Sequence, residues 1–534
     1  MVEMVEIYDS TLRDGAQAEG IAYSLEDKLS IARRLDALGV HYIEGGWPNP
    51  TNPKDLAFFQ EVKKLDLKAK VTAFGSTRRA VNRPEDDETL ATLLGAGTES
   101  IALFGKSWTL HVEEVLRTTL EENVKLIEDS VAYLVQNGRE VVYDAEHFFD
   151  GYKADASYAL KTLLAAQRGG ARILVLCDTN GGTLPSEMSA ILEDVKRRIE
   201  IPFGIHTHND AGCGVANSLI GVEAGAVQVQ GTFNGYGERC GNANLCSIVP
   251  TLELKMGVRT IGRERLAALM DFSRFLSEIA NVYHDHRQPY VGESAFAHKG
   301  GAHVDGVMKV AHSFEHVEPE TVGNERRFLV SDQSGGGTIV SKLSRFCEGI
   351  DKKDPLVGKV LAAVKERENQ GYQYEAAEGS FELMARRAMG TYEDLFNLVS
   401  FRTINRKNST DEMEVAEAIV KVEVDGQVYH TVGEGDGPVN AMDRALRKAL
   451  EGVFSSLALV HLEDYKVRVL SSGDGTAAKV RVLIQSSDGQ DAWGTVGVSE
   501  NIIEASWIAL ADSLHFKLMK DAQAVEGRTE AATG

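Results

Sequence analysis

Eight times over its first 270 residues, this chain places a short apolar run before a longer amphipathic one. The apolar runs at 5–8, 42–45, 70–74, 100–104, 140–144, 173–177, 203–206 and 227–231 read as strands. Stretches between them, such as 25–38, 112–135, 156–167 and 186–199, read as amphipathic helices. Such alternation demands parallel strands joined by crossover helices. Eight units match a closed (β/α)8 barrel in count and length. The alternative is an open doubly wound sheet, which usually has fewer strands and lacks polar residues at the end of nearly every one. Here Arg13 and Asp14 follow the first strand, Glu44 ends the second, and Lys106 follows the fourth. Glu146 and His147 follow the fifth, Asp178 and Thr179 the sixth, and His206 and His208 end the seventh. Barrel enzymes place their active sites on that face, so the pattern points to a catalytic barrel.

Past residue 270 the alternation stops. Residues 271–394 read as helical linker subdomains broken by glycine-rich turns, among them Ser334-Gly335-Gly336-Gly337. Residues 395–520 change texture again, to an α+β module. Strand, turn, strand and helix over 416–450 recur over 478–515, sharing Asp-Gly-Gln at 425–427 and 488–490. An internal repeat of this kind implies a pseudo-twofold module. The Ala-, Gly-, Glu- and Thr-rich residues 521–534 are expected to form a disordered tail.

At 534 residues the chain needs two or three domains. A formal net charge of -22 disfavours nucleic acid and anionic membranes as partners. The five cysteines form no C-x-x-C pair, the residues after the N-terminus form no signal-peptide core, and no apolar stretch reaches membrane-spanning length. The expected setting is the reducing cytoplasm.

Two short runs carry the chemistry. In Ile205-His206-Thr207-His208-Asn209-Asp210 the two histidines share one face of a strand end, which is two thirds of a minimal catalytic metal site or, more plainly, a pair of satisfied core histidines. Asp14, beside Arg13, is a turn residue or a third ligand. In Asn234-Gly235-Tyr236-Gly237-Glu238-Arg239-Cys240-Gly241-Asn242, the last residue caps a helix or supplies an amide oxygen to the same cation. Glu238 and Arg239 read as an ion pair bracing the pocket. Two imidazoles, a carboxylate and an amide suit Mg²⁺, Mn²⁺, Co²⁺ or Zn²⁺ without choosing among them.

With Thr11-Leu12-Arg13-Asp14-Gly15-Ala16-Gln17, the His206 run and the Gly235 run in place, the chain resembles the metal-dependent Claisen-condensing synthases of 2-isopropylmalate, homocitrate and citramalate over nearly its whole length. Ala16 and Gly46-Trp47 depart from the pattern near the pocket. The resemblance implies that Asp14, His206, His208 and Asn242 hold the metal. It implies that Arg13 stabilises the developing alkoxide, and that Gln17, Glu44, Glu146 and Thr179 serve the 2-oxo acid. His303, in His298-Lys299-Gly300-Gly301-Ala302-His303, would reach a partner subunit's site as base or base relay, with Arg13 and Glu146 as the other catalytic groups. Acetyl-CoA and pyruvate are the implied substrates. A homodimer is implied, with a C-terminal regulatory domain sensing isoleucine. Bulky Trp47, Phe104, Trp108 and Phe148 near strand ends could exclude a branched substrate or could be ordinary packing. The competing readings are a 2-isopropylmalate synthase using 2-oxoisovalerate and an inactive barrel kept as an amino-acid-binding regulator.

Overall fold

Local signals set the first barrel helix, Leu25–Leu38. Ser24 and Asp27 form a reciprocal capping box at its start, and left-handed Gly39 closes it. Similar logic splits the expected 112–135 helix in two. Arg117 takes a left-handed conformation after the turn His111–Leu116, and Thr119 caps a new helix, Leu120–Gln136.

The computed structural model of the chain describes residues 2–331, 334–406, 415–470 and 478–533. They form two compact units, one of residues 1–296 and 317–326, the other of 297–316 and 327–534.

The first unit is a closed eight-stranded parallel barrel. Its strands are β1 (Glu6–Asp9), β2 (Tyr42–Gly46), β3 (Lys70–Ser76), β4 (Ser100–Lys106), β5 (Glu140–Glu146), β6 (Ile173–Asp178), β7 (Phe203–Thr207) and β8 (Gln228–Gly231). β1 closes on β8 with Glu6 opposite Gln228 and Asp9 opposite Gly231. Alternate side chains, among them Ile7, Ile43, Leu103, Leu174 and Ile205, pack in the main core with residues of the surrounding helices. The opposite parity holds Tyr8, Tyr42, Phe74 and Ala102 in a second cluster. One polar network joins several strands: Arg172 pairs with Glu6 at 2.5 Å, and Glu140 accepts from Tyr42 and Lys70 at 2.8 and 2.7 Å.

The second unit begins with the short parallel pair β9 (Ala297–His298) and β10 (Arg327–Phe328). Helices Gly301–Lys309, Gly336–Leu343, Pro355–Asn369 and Glu378–Met389 belong to it. Two antiparallel three-stranded sheets follow, β11 (Asn397–Arg406), β12 (Val415–Val424), β13 (Gln427–Gly435) and β14 (His461–Val469), β15 (Val480–Ser487), β16 (Ala492–Ser499). Each repeat is thus one strand longer than its sequence pattern, because β11 and β14 are mixed in polarity and largely exposed. The pseudo-twofold likeness extends to a register shift in each first strand, at Leu398/Ser400 and Leu462/Asp464. Helix Pro438–Leu450 follows the first sheet and helix Ile502–Thr533 the second, and the two halves share one core around Val420, Leu446, Ile484 and Leu510. This last helix runs on through the stretch expected to be a disordered tail. Ala522 and Ala524 favour the helix, and Lys517 pairs with Asp521 one turn along at 2.8 Å.

Candidate active site and metal centre

Strand parity does the first part of the work. Ile205 faces the helices, so His206 faces the barrel interior, and His208, two residues on, shares its side. The segment after β8 runs back alongside β7. Ala243 N–H donates to Thr207 O at 2.9 Å and Asn209 N–H to Gly241 O at 2.9 Å, so His208 and Asn242 form a bridge pair. The approach is close. A Cβ at Gly237 would stand 2.2 Å from Asn242 Nδ2, which only glycine avoids.

Ligand atoms of Asp14, His206 and His208 lie within 4.8 Å of one another, all in buried residues. Asp14 Oδ2 is 3.5 Å from His206 Nε2 and 3.9 Å from His208 Nε2. Burial raises the Asp14 carboxyl, but Arg13 and the two histidines overcome it and hold the group down at about 2. Burial and the neighbouring His206 push His208 down to about 4. Asn242 donates from Nδ2 to Tyr236 O at 3.2 Å, while its Oδ1 is buried without a partner, as is His208 Nδ1. An ionised carboxylate, two imidazole nitrogens and an unpartnered amide oxygen fit a borderline divalent cation.

Arg13 is fixed on three sides. Nε donates to Glu44 Oε2 at 2.6 Å, Nη1 to Asp14 Oδ2 at 3.1 Å, and the guanidinium lies 3.8 Å from the centre of the Phe74 ring. Glu44 is fully buried and is also held by Tyr8 at 2.7 Å and by Ser10. Burial pushes nearby Asp144 up to about 8, with the Glu44 charge adding to it.

A cavity of about 230 Å³ opens over these groups, lined by Arg13, Asp14, Gln17, Glu146, Thr179, His206, His208, Glu238 and Arg239. Glu146 is ion-paired with Lys106. Thr179 Oγ1 accepts the His147 N–H at 2.9 Å. Arg239 is braced chiefly by Asp210 (Nε to Oδ1, 2.8 Å) and by Thr179 O (2.6 Å). Its contact with the half-exposed Glu238 is 3.5 Å, so the expected Glu238–Arg239 brace is the lesser one. Glu44 stands behind Arg13 and does not line the cavity. His303 falls in the second unit, on the exposed side of helix Gly301–Lys309, stacked on Phe314 with centroids 4.4 Å apart.

Of the four aromatics singled out from the sequence, Trp47 and Phe104 line the cavity. Phe148 packs in the core against Phe149, and Trp108 stacks on His111, so both are packing residues. Phe74 and Gln230 had no sequence signal beyond strand parity. Phe74 stacks on Phe104 at 5.1 Å. Gln230 joins His206 to Asp144.

Residues 4–276 match the profile of the HMGL-like family, residues 290–371 that of the homocitrate synthase post-HMGL domain-like family, and residues 375–518 that of the LeuA allosteric (dimerisation) domain. The barrel and its site therefore define an HMGL-like enzyme with a LeuA-type C-terminal module. The (R)-citramalate synthase of Geobacter sulfurreducens is 54% identical over 98% of this chain and 99% of its own. That of Aquifex aeolicus is 53% identical over 98% and 99%. A probable 2-isopropylmalate synthase of Methanopyrus kandleri is 32% identical over 95% and 97%. The chain belongs to the family of (R)-citramalate synthases.

Proposed function

We propose that this chain condenses acetyl-CoA with pyruvate and hydrolyses the thioester, giving (R)-citramalate and CoA. One observation carries the reading: Asp14, His206 and His208 converge at a small cavity walled by Trp47, Phe74 and Phe104. Relatives between 46% and 54% identical, all (R)-citramalate synthases, support the choice of pyruvate over 2-oxoisovalerate.

Asp14, His206, His208 and Asn242 would hold a divalent cation, Mg²⁺, Mn²⁺, Co²⁺ or Zn²⁺. When bound, it supplies Lewis acidity and a template for the 2-oxo acid. Arg13 supplies positive charge where the keto oxygen becomes an alkoxide. Because Glu44, Asp14 and Phe74 already fix the guanidinium, no reorganisation is needed at that moment. Thr179 Oγ1 spends a lone pair on the His147 N–H, which leaves its own hydrogen to donate to the substrate carboxylate. Gln17 and Glu146, the latter balanced by Lys106, complete the oxo-acid site.

The acetyl methyl group gives up a proton, its carbon bonds to the keto carbon, and water then displaces CoA from the thioester. We assign proton removal to His303, whose exposed imidazole carries a ring nitrogen able to accept and pass on a proton. It would come from a second copy of the chain. Apolar side chains exposed on β11 and β14, including Leu398, Ile404, Leu462 and Val467, support a copy packed on this module. We read the same module as the sensor of isoleucine, for whose synthesis citramalate supplies a precursor. The cytoplasm is the proposed setting. All five cysteines are free, and no helix among the described residues is long and apolar enough to cross a membrane.

The test is CoA release, read with a thiol reagent, from acetyl-CoA, a divalent cation and either oxo acid. Release with pyruvate that a chelator abolishes is the expected result. Release mainly with 2-oxoisovalerate would make the chain a 2-isopropylmalate synthase. No release with either would leave a barrel acting only as a regulator.

A further inference from the structure

The barrel holds a buried ion pair that the chemistry above does not use. Lys28 and Asp55 are 2% and 6% exposed and pair with each other. Each also grips the backbone at the end of β2. Lys28 Nζ donates to Gly45 O at 2.8 Å. Asp55 Oδ2 accepts from the Trp47 N–H at 3.0 Å and from Asn52 Nδ2 at 2.8 Å.

Between those two grips the strand is irregular. Glu44 lies opposite Thr72, yet Gly46 lies opposite Ala73, so β2 carries one residue more than β3 at this point. Such a bulge shifts the facing of everything after it. In a regular strand Glu44 and Trp47 would face opposite sides. Here Glu44 reaches Arg13 from behind, and Trp47 lines the cavity that Arg13 lines, edge-on to Phe74 and Phe104 with centroids 5.8 and 5.6 Å apart. The corner is moulded to the pair: Gly46 has φ +145°, and a Cβ there would stand 2.4 Å from the Asp55 carboxylate.

We propose that Lys28 and Asp55 are positioning residues for substrate selectivity. By holding the bulge they turn Trp47 into the cavity and limit the size of the substituent on the 2-oxo acid. The inference rests on the reading that this cavity receives the oxo acid. An apolar pair of similar volume would leave the Gly45 carbonyl and the Trp47 N–H without these partners. The ions are therefore suited to fixing the corner in a way that packing alone is not.

Asp55→Asn tests this with little change in volume. An amide has one oxygen, so it can serve Lys28 or the Trp47 N–H, but not both as the carboxylate does. The measurement is kcat/KM for pyruvate and for 2-oxobutanoate in the full-length protein, its Asp55→Asn and Trp47→Leu variants, and the double variant. The ratio of the two values is expected to fall about tenfold in Asp55→Asn. In the Trp47→Leu background the same change should leave the ratio unaltered. A variant that loses activity on both acids equally, keeping the ratio, overturns the proposal. If Asp55→Asn does not fold by circular dichroism, Lys28→Met takes its place under the same criterion. Wild-type protein inactive on both acids with acetyl-CoA and a divalent cation fails at the functional reading and takes the clamp's role with it. Wild-type protein that prefers pyruvate, with variants of unchanged ratio, overturns the clamp alone.

Discussion

Gln230 Oε1 lies 2.8 Å from His206 Nδ1. The same amide donates from Nε2 to Asp144 Oδ1 at 3.1 Å and to the Gln228 amide oxygen at 3.4 Å, which sets its own oxygen toward the ring. His206 Nδ1 therefore carries the hydrogen, and the Nε2 lone pair is turned to Asp14 and His208. Gln230→Leu is expected to weaken divalent-cation binding about 10- to 100-fold without unfolding the barrel. Calorimetric titration of Mn²⁺ or Co²⁺ into both proteins checks this. Unchanged affinity would mean that the ring is oriented without the amide.

Arg13→Lys keeps the charge but loses the planar fork that bonds Glu44 and Asp14 while lying over Phe74. The expected loss is about 10²- to 10³-fold in kcat at saturating pyruvate. A lysine variant with near-normal kcat would show that fixed orientation is not what Arg13 contributes.

Asp9, fully buried at the end of β1, accepts from Thr11 N–H at 3.1 Å and Thr11 Oγ1 at 2.7 Å. Burial outweighs these bonds and pushes the carboxyl up to about 7. The unfolded chain releases the same proton near pH 4, at about the free aspartate value. Between those values the folded state binds more protons, so this group's contribution is full in acid and is lost as pH rises through about 7. Asp9→Asn is expected to flatten part of the stability decline over that window. Urea midpoints at a series of pH values give the answer, and parallel curves for the two proteins would assign the decline to other groups.

Helix Glu378–Met389 belongs to the C-terminal fold. Ser380 Oγ donates to Asp512 at 2.7 Å and accepts the Val496 N–H at 3.0 Å, and Phe381 and Met384 share a core with Val496. A chain ending near residue 395 is expected to lose isoleucine inhibition and also to be cut by trypsin at Arg386 and Arg387 far faster than the full chain. Retained isoleucine sensitivity would remove the sensing role from the module. Retained trypsin resistance would show that the helix needs no cover from it.

What could be read from sequence follows the range of the forces involved. Helices Leu25–Leu38 and Pro438–Leu450 were legible to the residue, because caps, Gly39 and Pro438 act locally. β11 and β14 were not, since their mixed side chains become strands only by pairing with β12 and β15. Asp14, His206 and His208 stood out because strand ends and parity place them. Gln230 and Phe74 did not, because only closing the barrel brings them to the site. The bulge at Gly45 left no mark but a Gly-Gly pair, which the sequence alone cannot tell from a turn.

β1 pairs with β8, and β8 with β7. Asp14 follows β1, His206 lies on β7 with His208 just past its end, and Asn242 follows β8, so the candidate ligands straddle the seam where the first strand meets the last. A chain still emerging from the ribosome carries Asp14 alone until β7 is made. A cation would favour the state that gathers all four residues, fastening the seam instead of any single element. Synthesis order thus places completion of the candidate cation site after the strands that close the ring.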